Sequence, residues 1–176
     1  MKRNGKPNSA KKVDGAGAFA VCSFFLLLGA AAGCFSGSFA DIELLELMEG
    51  GDKFAHCLVL ALFMTGAALL FGSSCIGFLL MPALSAAAGF AAGYVMAAEI
   101  LVSGSWGEAF LNRGWFIAAA LPAFLVLCTC ALRTSAAALG IVVFGTRPEP
   151  GIISGFIKMI AICVLLSILL AAAAAL

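Results

Sequence analysis

Apolar positions along the chain fall into five long runs, set apart by short polar stretches. They cover about Ala16 to Ala40, Phe54 to Phe71, Cys75 to Val102, Trp115 to Val143 and Ile152 to Leu176. Each is near or above the ~18–20 residues that a helix needs to cross a ~30 Å hydrocarbon layer. A segment in that layer must satisfy its own backbone hydrogen bonds, which selects the helix. The pattern therefore predicts an all-α, polytopic membrane helix bundle of about five transmembrane helices, forming one domain over residues 15–176. Pro82 and Pro122 lie inside the third and fourth runs. They are expected to kink those helices, with neighbours covering the freed carbonyls. Residues 1–14 carry Lys2, Arg3, Lys6, Lys11 and Lys12 among polar residues and read as a disordered basic tail.

Composition narrows the class further. Of 176 residues, 64% are hydrophobic and only 11% charged, with a mean hydropathy of +1.15. Soluble domains are about half apolar and a quarter charged. The chain has too little polar surface to cover a water-soluble globule. The net charge of +1 says nothing about nucleic acid, and no basic patch is interleaved with aromatics, so no nucleic-acid partner is expected.

The positive charges also set an orientation. With the N-terminus in the cytoplasm, Lys2, Arg3, Lys6, Lys11, Lys12, Arg133, Arg147 and Lys158 fall inside. Lys53 and Arg113 fall outside. A bacterial cytoplasmic membrane, crossed several times, is the expected location. The start of the chain resembles a signal peptide ending at Ser38-Phe39-Ala40. Its apolar run is longer than a usual signal core and rich in helix-packing glycines, so retention is expected.

Candidate chemistry is sparse. A proton relay or ion site needs several ionisable groups converging at mid-membrane. The runs offer only His56 near one end, Glu99 late in the third, Arg133 late in the fourth and Lys158 early in the fifth. Glu99 is expected to reach the outer interface, and Lys158 to snorkel to the inner headgroups. No GxSxG, HExxH or P-loop pattern occurs. The seven cysteines, Cys22, Cys34, Cys57, Cys75, Cys128, Cys130 and Cys163, lie in or beside apolar runs and read as small apolar residues. Their odd count and lack of framework argue against a Cys34–Cys57 disulfide, and Cys128 and Cys130 lack zinc-site spacing. The expectation is a non-enzyme with no cofactor and no metal.

Two outer connections carry docking candidates. DIELLELMEGGDK, from Asp41, places Glu43 and Glu46 on one side of a short amphipathic helix, with Glu49 nearby. SGSWGEAFLNRGW carries Trp106 and Trp115, whose rings suit a membrane interface. Its glycines suggest a turn or a re-entrant bend.

The third run contains SAAAGFAAGYVMAA, with Ser85, Gly89, Gly93 and Ala97 four residues apart. The first run contains GAAAGCFSG, with Gly29, Gly33 and Gly37 at the same spacing. On helices each series forms a strip with almost no side chain, along which two backbones can touch. The two strips are expected to pack on each other, on a second copy, or on a partner's transmembrane helix.

In order along the chain, Ile76-Gly77, Pro82, Gly89-Phe90, Gly93, the span from Gly104 to Gly107, and Leu121-Pro122 form a series. Over residues 15–143 it resembles the stage II sporulation protein M family of endospore-forming bacteria. The chain departs from that pattern after Pro122, where Ala123 stands in place of a polar Gln/Asn-type residue, and in its alanine-rich end. The resemblance implies a multi-pass protein of the septal or engulfing membrane. It implies a scaffold that anchors and localises membrane-anchored, extracytoplasmic peptidoglycan hydrolases during engulfment of the forespore. The alternative is a permease-like subunit working with a separate ATPase. Self-association fits either reading.

Overall fold

The structure, a computed structural model, describes residues 15–39, 53–145 and 151–174. Its elements are α1 (Gly15–Gly37), α2 (Lys53–Ser73), α3 (Gly77–Ser103), the short α4 (Trp106–Ala109), a π turn (Phe110–Gly114), α5 (Trp115–Phe144) and α6 (Ile152–Ala174). Among the described residues, four stretches are long and apolar enough to cross a membrane: Gly15–Gly37, Gly77–Ser103, Trp115–Val143 and Ile152–Leu169. A shorter apolar stretch, Leu62–Ser73, belongs to α2. The chain is thus an all-α bundle of the multi-pass membrane type. The basic tail 1–14 and the acidic connection around Glu43, Glu46 and Glu49 lie outside the described residues.

The bundle is inverted in side-chain size relative to a soluble core. Small residues meet at the helix contacts: Ala18 and Cys22 of α1, Ala68 of α2, Cys128 and Ala131 of α5, Cys163 of α6. Met81 and Leu127 are the large side chains fully buried among them. Phe24, Leu27, Phe35, Phe63, Leu79 and Leu165 point outward. Lipid tails are as apolar as leucine, so burying a large apolar side chain brings no solvent gain. Close approach of backbones brings dispersion, and small residues permit it.

The closest approach is between α1 and α3. A Cβ placed on Gly29 would collide with the carbonyl oxygen of Ala86, and one on Gly33 with that of Phe90. The contact is reciprocal: a Cβ on Gly89 would strike the Leu26 carbonyl, and one on Gly93 the Ala30 carbonyl. At Gly37 the same position lies 2.7 Å from the Tyr94 oxygen and 2.9 Å from Cβ of Ala97. Each carbonyl occupies the place of the missing side chain, where it can accept a weak bond from the glycine Cα–H. Ser85 completes the seam by donating its hydroxyl to the carbonyl of Cys22 at 2.9 Å.

These pairs fix direction. Cys22, Gly29, Gly33 and Gly37 meet Ser85, Ala86, Phe90 and Tyr94 in rising order, so α1 and α3 run parallel. The intervening helix must carry the chain back, and α2 does so: at 21 residues it measures about 31 Å at ~1.5 Å per residue. Its last turn reaches α5 and α6, where a Cβ on Gly72 would meet Phe156 and Ala131. The hydroxyl of Ser135 donates to the Ser74 carbonyl at 2.6 Å, tying α5 to the α2–α3 turn. Cys163 of α6 donates to the Ala123 carbonyl at 3.5 Å, while Phe156 and Ala131 come together at Gly72, so α5 and α6 are antiparallel. Arg133 lies over Gly15 at the start of α1. The start of α1, the α2–α3 turn, Arg133 and the start of α6 therefore share one end, called here the basic end.

Pro82 and Pro122 sit within α3 and α5, which continue through them as helix. The second connection differs from the bend that its glycines suggest. Only Gly104 turns, closing α3 in the left-handed conformation at φ 66°. Gly107 and Gly114 lie in helical turns, and Trp106 onward runs through the π turn directly into α5.

The seam predicts a sharp positional contrast. Gly33→Leu drives a side chain into the Phe90 backbone and should abolish most recovery of folded protein from detergent. Gly17→Leu, on the same helix with nothing within 4 Å of its Cβ position, should be recovered as the parent is. Size-exclusion profiles of the two variants read the difference.

Candidate functional site

The far end of the bundle holds its most unusual polar feature. Glu99, in the last turns of α3, is 7% exposed. Its Oε2 lies 3.4 Å from Nε of Arg113. Its side chain is turned into the protein and paired, rather than standing open to solvent. Taking a carboxylate out of water is costly without a partner charge, and a guanidinium supplies it. The pair ties the end of α3 to the turn leading into α5, across the short connection through Gly104 and Ser105.

Local geometry delivers Arg113 to that position. The π turn Phe110–Gly114 closes with the Trp115 N–H bonded to the Phe110 carbonyl. Such a turn holds one residue more than an α turn, which rotates the preceding side chains by about 100° relative to an unbroken helix. Gly114 lets the turn settle onto α3, because a Cβ there would lie 2.8 Å from the Phe110 ring and 3.2 Å from the Met96 methyl. Ala109 is fully buried on the same side. At the other side of the connection, Ser103 donates to the Glu99 carbonyl at 2.7 Å and Gly104 N–H to the Ile100 carbonyl at 2.9 Å. These bonds satisfy carbonyls that the helix end would leave open.

The opposite face of this connection is apolar and open. Trp106 is 75% exposed, and Phe110 and Leu111 are exposed beside it. Trp115 is half-buried, its ring edge-on to Phe116. The element thus has a bundle face that carries the ion pair and an outer face of aromatic and aliphatic side chains. An exposed indole at the end of a bundle suits the water–lipid boundary.

The residues singled out from the sequence are distributed as follows. Gly29, Gly33, Gly37, Ser85, Gly89, Gly93 and Ala97 all lie on the α1–α3 seam. Pro82 is half-buried and Pro122 exposed, in different helices. Trp106 stands at the far end, away from the buried part of the seam. Glu43, Glu46 and Glu49 lie outside the described residues, as does the side chain of His56. Cys34 is a free, exposed thiol. Among the described residues no three His, Cys, Asp or Glu side chains gather where a metal ion could be held. Sequence reasoning missed the Glu99–Arg113 pair. The signal was present, since both charges fall at the same end of the chain's alternating path, but reading residues 104–114 as a bend left no means of bringing them together.

A double-mutant cycle tests the pair. Glu99→Gln and Arg113→Gln should each destabilise the bundle, and the double variant should lose less than the sum. A coupling of about 1–2 kcal/mol is expected for residues in one buried network, reduced toward the low end by the partial exposure of Arg113. Unfolding in mixed detergent micelles gives the four stabilities.

No family model matches the chain, and neither does any curated protein or solved structure.

Proposed function

We propose that this protein is an integral-membrane scaffold of the bacterial cytoplasmic membrane, with its N-terminus and basic end in the cytoplasm. On this reading it anchors membrane-attached, extracytoplasmic peptidoglycan hydrolases at the septal or engulfing membrane during endospore formation. It carries out no chemistry itself. The observation that carries the scaffold reading is the α1–α3 seam. Two parallel helices in backbone contact form a stiff unit, and the outward face of α1 presents Phe24, Leu27, Leu28 and Phe35. A face of this kind suits a partner's transmembrane anchor as well as lipid. The far end adds the pinned connection with Trp106, and the adjoining acidic sequence with Glu43, Glu46 and Glu49 supplies a charged docking segment. The hydrolase partners and the sporulation setting come from the resemblance of residues 15–143.

One observation favours a second reading. A buried ion pair in a membrane helix is a common mark of transport proteins, so Glu99–Arg113 suits a permease-like subunit with a separate ATPase. The two readings predict different company on different sides of the membrane.

Cross-linking in native membranes, followed by affinity purification and mass spectrometry, separates them. The scaffold reading expects cell-wall hydrolases. Reversal of Glu43, Glu46 and Glu49 to lysine should leave insertion intact and reduce hydrolase recovery several-fold. Recovery of a cytoplasmic ATPase without hydrolases would replace the scaffold by the transporter subunit.

A further inference from the structure

We draw no further inference here: the strongest candidate, the outward apolar face of the connection between α3 and α5 at Trp106, Phe110 and Leu111, carries nothing, because nothing in the structure shows what covers it.

Discussion

The structure depends on backbone touching backbone. Along the α1–α3 seam, four glycines place the Leu26, Ala30, Ala86 and Phe90 carbonyls where side chains would otherwise stand. In a lipid solvent this contact is worth more than a large apolar side chain turned inward, because lipid already solvates the latter. The consequence runs through the whole bundle. Small residues gather at the contacts, Ser85 spends its hydroxyl on the Cys22 carbonyl of the facing helix, and the phenylalanines and leucines are turned out.

A parallel seam between the first and third long helices also constrains topology. The chain must return between them, which gives α2 its course and sends the α2–α3 turn to the end where α1 begins. From there the Ser135–Ser74 bond, the Gly72 contacts and the Cys163–Ala123 bond set α5 and α6 in register. That register brings Glu99 and Arg113 to one level at the far end, within reach of each other.

Much of this was legible in the amino-acid sequence, for a physical reason. A solvent that forces every crossing segment into a helix makes length and hydropathy sufficient to place the helices. The expected run at 115–143 and the observed α5 (Trp115–Phe144) differ by one residue. At the end of the first run the difference is larger, Ala40 against Gly37, because glycine, serine and phenylalanine there leave the helix end unmarked. The four-residue spacing of Gly29, Gly33 and Gly37 and of Ser85, Gly89, Gly93 and Ala97 is plain in the sequence. What a strip packs against is not, since any small-residue face fits any other. The π turn was hidden as well. A wide turn has no distinct composition, and FLNRG with flanking glycines reads equally well as a loop. With the turn went the ion pair, because Arg113 lies inside it and its direction follows from that geometry.

The central claim is the parallel, in-register seam, and distances between spin labels in the reconstituted protein test it most directly. Labels carried by unnatural amino acids at Phe19 of α1 and Leu79 of α3, both exposed, should lie close together, since these positions are level along the seam. Moving the first label to Phe35 displaces it by about 24 Å along the helix, and the measured distance to Leu79 should lengthen accordingly. Equal distances from the two positions, or a shorter one from Phe35, would contradict a parallel seam and the topology built on it.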